Sequence, residues 1–359
     1  MKLLPLIMLF GLLITGGALH RESGLLFQVV SSHPHELNEI SSYTKTVHRD
    51  GRLWVVELNP EAPSNILKHL RPLSGHERSY LYEGEWIQNV SFSRKSTIKK
   101  LISHVDKKAI KKDVELLSAY RTRLSGSAEN RLALIGVRAR FQSMGYIIRD
   151  FCYQEGDCSF TADKNGSTSS TSVLMVMGHI DSVGEDFAGA DDNGSGIAVL
   201  LEMARILKDH PNKNTIRFFV SNGEEEGFLG STHYVKLLAS ENKLNELALV
   251  INMDMVGYNS DGIVDLETDP EFEELAQWYG NLASGYTKLK TRITLGAWGS
   301  DHVPFLQHRV PAIMTMENWE TKSPCYHKAC DLPDTLNYDY AAEIAKLNTS
   351  AILIKDHEL

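Results

Sequence analysis

The chain has 359 residues, 42% of them hydrophobic, and a formal net charge of −9. That length and apolar content suit one large α/β domain with a smaller appendage, built around a real core. The acidic balance, with no basic stripe interleaved with aromatics, argues against a nucleic-acid partner.

Residues 1–19 of MKLLPLIMLFGLLITGGALH carry one Lys, an apolar run and small residues at Gly16-Gly17-Ala18. This is a signal-peptide pattern; a membrane anchor needs a longer run, since a span takes about 20 residues. A secreted or periplasmic protein with no stable membrane association is expected. The four cysteines fall in two close pairs, Cys152/Cys158 and Cys325/Cys330. In an exported chain they read as two local disulfides, and neither pair has the two-residue spacing of structural zinc. Sequons stand at Asn89, Asn165, Asn193 and Asn348, and the closing DHEL is taken as chance.

Residues 20–95 read as a small α+β unit. LLFQVV, GRLWVVELN and RSYLY are strand-like, HELNEISSY and SNILKHL helix-like. A lysine-rich stretch follows, with Arg94-Lys95, Lys99-Lys100, Lys107-Lys108 and Lys111-Lys112. Its ordinary reading is a solvated helix face. Its sharper reading is a cleavable linker, which makes the unit propeptide-like and places the catalytic domain at 96–359. A permanently attached binding domain is the competing reading.

From Ser96 helices and strands alternate. VELLSAY is helical, and a long amphipathic helix ends at Met144-Gly145-Tyr146. IIRDFCYQ is a strand, and Lys164 to Thr171 a loop. VLMVMG is a continuous apolar run of the kind a parallel strand buried on both faces shows. IAVLLEMARIL is a helix with one packing face, and TIRFFVS and ALVINMDMV are further strands. IVDLET, a helix from Pro270 to Ala283, the strand PAIMTM, a cysteine-bracketed loop and a closing helix complete the pattern. The expectation is a three-layer αβα fold around a mostly parallel sheet.

Ligand sites in such sheets lie beyond the carboxyl ends of the strands. There the sequence places His179-Ile180-Asp181, the turn Gly189-Ala190-Asp191-Asp192-Asn193-Gly194-Ser195-Gly196, Glu224-Glu225-Glu226 and Asp254. His179 with a carboxylate two residues on fits a metal ligand and the group that orients it. A helix N-cap explains one of Asp191 and Asp192, not both. Asp254 follows an apolar strand, where burial is costly unless it is paired or bound to metal. His327 sits between Cys325 and Cys330. Nitrogen and carboxylate donors of this kind suit zinc, and the supply is enough for two ions sharing one carboxylate.

The motifs GHIDS, GADDNGSG, EEEGFLGS, NMDMVGY, SDHVPF and CYHKACD follow one another from about Ser96 to the C-terminus. In order and spacing they resemble the exported bacterial leucyl aminopeptidases, the co-catalytic dizinc exopeptidases. The resemblance implies two zinc ions per subunit. It makes His179 and Asp254 the ligands of one ion, Glu225 and His327 those of the other, and Asp191 the bridge, with a cis bond to Asp192. It implies Glu224 as general base once the triple glutamate is aligned on Gly227-Phe228-Leu229-Gly230-Ser231. Asp181 becomes the partner of His179, and Tyr326 an oxyanion donor. Asp301 and His302 receive only a structural role. The implied substrates are peptides with a free N-terminus, cut by a monomer at a Leu-like first residue. Met255, Trp298, Phe305 and Tyr326 are candidates to line its pocket. The alternatives are a glutaminyl cyclase, a carboxypeptidase or dipeptidase on the same fold, and a non-catalytic binding descendant.

Overall fold

The computed structural model describes residues 26–29, 40–50, 53–59, 62, 70–72, 78–85, 91–296 and 299–359. The chain divides into two compact units, Met1–Glu77 and Arg78–Leu359. The first holds four antiparallel strands, β1 (Leu26–Val29), β2 (Thr44–Asp50), β3 (Leu53–Leu58) and β4 (Leu70–Pro72), in the order β2-β3-β1-β4. LLFQVV and GRLWVVELN supply β1 and β3 as expected, while β2 was not anticipated. The signal-peptide pattern and the helix expected at SNILKHL lie outside the described residues, apart from Leu70 in β4.

The second unit is built on a nine-stranded sheet. Its strands are β5 (Arg78–Tyr82), β6 (Ile147–Gln154), β7 (Asp157–Lys164), β8 (Val173–His179), β9 (Thr215–Ser221), β10 (Leu247–Met253), β11 (Ile263–Thr268), β12 (Lys290–Leu295) and β13 (Ala312–Glu317). They lie in the order β5-β12-β11-β13-β10-β8-β9-β7-β6. The inner strands β13, β10, β8 and β9 are parallel. β11 and β12 run parallel to each other but opposite to that group. The antiparallel β6–β7 hairpin borders β9, and antiparallel β5 borders β12. The sheet is thus mixed, with the parallel part at its centre.

Eight α-helices accompany this sheet in the second unit among the described residues: α1 (Phe92–Ile102), α2 (Lys107–Ser118), α3 (Ala128–Ser143), α4 (Gly196–Leu207), α5 (Leu229–Ser240), α6 (Glu273–Tyr286), α7 (Val303–Leu306) and α8 (Tyr338–Glu358). β8 is buried along its whole length. Leu174 and Val176 join the larger core with α4 and α8; Val173, Met175 and Met177 join the other with α5 and α7. That is why its sequence is apolar throughout rather than alternating.

Two differences from the sequence reading have physical causes. RSYLY, expected in the N-terminal unit, is β5 and hydrogen-bonds to β12 in the larger unit, so the boundary between the units falls at 77/78 and not at 95/96. β7 was missed because its sequence is polar. Its Asp163 is nevertheless buried against Arg217 of β9, at 2.6 and 2.7 Å, and pairing across the sheet satisfies both charges. Cys152–Cys158 and Cys325–Cys330 are both disulfides. Asn193 and Asn348 are fully buried, so the folded chain does not present those sequons. No described helix is long and apolar enough to cross a membrane.

Candidate metal centre

β8, β9 and β10 end side by side. β8 delivers His179 as its last residue, β9 leads through Asn222-Gly223 into Glu224 and Glu225, and β10 is followed directly by Asp254. Gly223, at φ +74°, makes the turn that points the glutamates back over the sheet edge. His327 arrives from the loop closed by Cys325–Cys330, itself at φ +55°.

One carboxylate joins the two histidines. Asp192 Oδ1 lies 3.3 Å from His179 Nε2, and its Oδ2 lies 3.2 Å from His327 Nε2. His179 Nε2 also stands 3.4 Å from Asp254 Oδ1, and His327 Nε2 stands 3.2 Å from Glu225 Oε2. Two ligands about 2.0–2.1 Å from a tetrahedral zinc stand about 3.3 Å apart. The donors are spaced as ligands of one ion would be. Glu224 is 2% exposed, and its Oε2 is 4.0 Å from His179 Nε2. Its donor oxygen groups with those of His179 and Asp254; His179, Asp192 and Glu225 form the other group that could hold a metal.

The electrostatics agree. Burial opposes a charge on His327, but Asp192 and Glu225 outweigh it and carry the imidazole up to about 10. Burial, reinforced by Asp192, pushes Glu225 up to about 7. Asp192 is held far below the usual carboxylate range, because the two histidines overcome its burial. A crowded set of acceptors in low dielectric is stabilised by a cation. Glu225 Oε1 is buried without a hydrogen-bond donor, as a ligand oxygen would be. The residues fit zinc.

Asp191 was expected to bridge, but the aspartate whose two oxygens reach the two histidines is Asp192, one residue on. Asp191 faces away from the histidines. Its carboxylate accepts from Ser195 Oγ at 3.0 Å, Gly257 N at 2.8 Å and Tyr258 N at 3.2 Å, and it shares a hydrogen bond with the Glu317 carboxyl. Burial, then Asp191, pushes Glu317 up to about 11. The cis peptide is likewise Asp192–Asn193, not Asp191–Asp192.

The other expected residues are found as follows. Asp181 flanks His179: its backbone oxygen is 3.1 Å from Nδ1 and its Oδ1 is 3.6 Å away. Its Oδ2 accepts from Glu225 N at 3.0 Å, so one aspartate positions a residue on each side of the centre. The Tyr326 ring stacks on His327 at 3.9 Å. Met255 is wholly buried beside Asp254. Phe305 packs into the smaller core with Val303 and Leu306 rather than facing the ligands. Trp298 lies outside the described residues.

Four supporting residues escaped the sequence reading. Asp331, the last residue of CYHKACD, accepts from Asp191 N at 2.8 Å and Asp192 N at 3.0 Å. Ser300 donates to Asp254 Oδ2 at 2.7 Å and accepts from Asn252 Nδ2 at 2.8 Å. Arg123 is fully buried and donates to the carbonyls of Leu117, Ile180, Ala188 and Gly189, pinning the loop that leads to Asp192. Glu317 is the fourth. Asp301, given only a structural role, ties Ser221 at the end of β9 to Ser231 in α5. Asp331 and Ser300 stood inside quoted motifs, which was the available signal; Arg123 carried none.

With this geometry in view, the comparison with known families is decisive: residues 161–352 match the model described as Peptidase family M28. The chain belongs to peptidase family M28. This M28 chain is 34% identical over 189 residues to Aminopeptidase YwaD of Bacillus subtilis, a stretch of 50% of this chain and 40% of that relative. It is 25% identical over 334 residues to Leucine aminopeptidase 1 of Ajellomyces capsulatus, covering 85% of this chain and 83% of the relative. Among solved structures it is similar to LapB from Legionella pneumophila, with a TM-score of 0.70, 18% identity, and coverage of 94% of this chain and 100% of that one. At that identity the likeness is one of fold.

Proposed function

We propose that this M28 peptidase is a two-zinc aminopeptidase that removes single residues from the free N-terminus of peptides. The observation that carries this reading is the Asp192 carboxylate, which offers one oxygen toward His179 and the other toward His327. His179 and Asp254 would hold one ion, Glu225 and His327 the other, and Asp192 both. Bound there, the pair of zinc ions would lower the pKa of a water and polarise the scissile carbonyl.

The chain's own residues do the rest. Glu224, buried against the ligands, takes a proton from the attacking water on its carboxylate and returns it to the departing amine. Asp181 keeps His179 and the Glu225 backbone in place while this occurs. Tyr326, whose ring stacks on His327, donates its hydroxyl to the developing oxyanion in this reading. The substrate's cationic α-amine is drawn to the acidic cluster, which confines cleavage to chain ends. A Leu-like first residue remains the reading for the side chain, supported by the name of the Ajellomyces relative rather than by Phe305. Export, with both disulfides formed outside the reducing cytoplasm, completes the proposal.

The test is hydrolysis of leucine-4-nitroanilide by the purified chain, before and after chelation and zinc return, beside an N-acetylated analogue. Zinc-restorable cleavage of the free-amine substrate alone is expected. Cyclisation of N-terminal Gln peptides with no such cleavage would replace the reading by glutaminyl cyclisation. Release of the last residue from an N-acetylated peptide with a free C-terminal carboxylate, with no such cleavage, would replace it by a carboxypeptidase.

A further inference from the structure

β5 comes from the stretch that sequence reading gave to a removable N-terminal unit, yet the catalytic unit is shaped around it. It pairs in register with β12, Ser79 opposite Thr294, Tyr80 opposite Ile293 and Tyr82 opposite Thr291. Tyr80 Oη donates to Glu273 Oε1 at 2.7 Å, and Tyr82 Oη to Asn281 Oδ1 at 3.1 Å, both on α6. Thr291 Oγ1 donates to Tyr82 O at 2.8 Å, and Glu85 N to Asn281 Oδ1 at 2.7 Å. The decisive position is Gly280, inside α6. A Cβ there would stand 2.4 Å from the Tyr82 ring, and a Cβ on Gly84 would stand 2.3 Å from Gly280 O. Glycine is a poor helix former. α6 carries one where Tyr82 and Gly84 lie against it. Removing the strand would also bare the β12 edge, a template for intermolecular pairing.

The dibasic Arg94-Lys95, by contrast, is poorly placed for cleavage. Both residues lie in the first turn of α1; Ser91 caps that turn by accepting from Arg94 N, and Ile98 and Ile102 of the same helix are buried. Nicking concentrates at exposed loop tips, not in packed helices.

We infer that residues 78–85 are a permanent part of the catalytic unit, so that any processing cut yielding the working enzyme falls before Arg78 and not at Arg94-Lys95. The test expresses the full chain with its own N-terminus in a bacterium that exports it, and takes the form that accumulates. Its N-terminus is read by intact mass, and its melting temperature is compared with that of Gly280→Ala. With β5 in place, G280A drives a methyl into Tyr82 and lowers the melting temperature; Tyr82→Ala in the same chain removes that penalty. With β5 gone, G280A improves the helix and raises it by about 2 °C. An N-terminus at or before Arg78 with a destabilised G280A is the expected result. So is a G280A that folds only alongside Tyr82→Ala. An accumulating form that begins beyond Arg78, or a G280A that melts higher, overturns the inference. Neither readout depends on the reaction the enzyme performs.

Discussion

Asp331→Asn isolates a part of the centre that lies behind the ligands themselves. Its carboxylate accepts from two consecutive amides, Asp191 N and Asp192 N, and so sets the direction in which the Asp192 side chain leaves the turn. Asparagine has the same shape but one acceptor oxygen, so one amide would face an NH2 group. A hydrogen bond to a charged group is worth about 1.5–3 kcal/mol. If the loop stays put, that cost appears in folding stability with or without metal. If the loop shifts, it appears in metal affinity, where partners behind metal ligands typically account for about 10–100-fold. The structure favours the second outcome, because Asp192 offers one oxygen to each histidine. The assay is zinc competition against a chromophoric chelator, with circular dichroism to establish folding. We expect a folded D331N whose zinc affinity falls about tenfold or more. A folded variant with affinity within twofold of the parent refutes the reasoning.

Three further outcomes are expected. Asp192→Asn loses zinc while Asp191→Asn keeps it, read by metal content after dialysis; the reverse would restore the register first expected. Glu224→Gln lowers kcat by about 10²–10⁴-fold with zinc content unchanged, and a fall in zinc content instead would make Glu224 a ligand. Burial pushes Asp265 up to about 7, so between about pH 4 and 7 the folded chain holds a proton that the unfolded chain has released. That stabilising contribution is complete at low pH and lost as pH rises through the window. Asp265→Asn, which can still accept from Thr294 Oγ1, therefore gains on the parent from pH 4 to 7 in urea unfolding; parallel profiles would count against it.

Much of the centre was legible because strand ends are. A His or carboxylate straight after an apolar run has few structural excuses, and His179, Glu224, Glu225 and Asp254, singled out on that ground, gather at one edge of the sheet. Asp191 and Asp192 could not be separated by the same logic. Both sit in one turn, and which of them faces the histidines depends on Ser195, Gly257 and Tyr258 capturing the first, two of these from a loop more than sixty residues away. Arg123 was invisible for a related reason: its partners are backbone carbonyls, which leave no trace in residue identity. β5 was legible as a strand but not as a member of its sheet, since pairing across 200 residues is written in the partner strand and in Gly280. β7 was hidden by its polarity, which belongs in part to the buried pair of Asp163 and Arg217.

The grip of Arg123 and Asp331 on the Asp192 turn has a consequence for when the centre comes into being. The turn is held by a residue about seventy positions upstream and another about 140 downstream, and His327 stands in the last of the six motifs. Pairings of such separation must meet a loop-closure cost before their contacts repay it. The emerging chain therefore has no finished cage with which to seize an ion as it is made. Loading would wait for closure of the whole unit, and under the proposed export the surroundings on the far side of the membrane would decide which ion the chain meets.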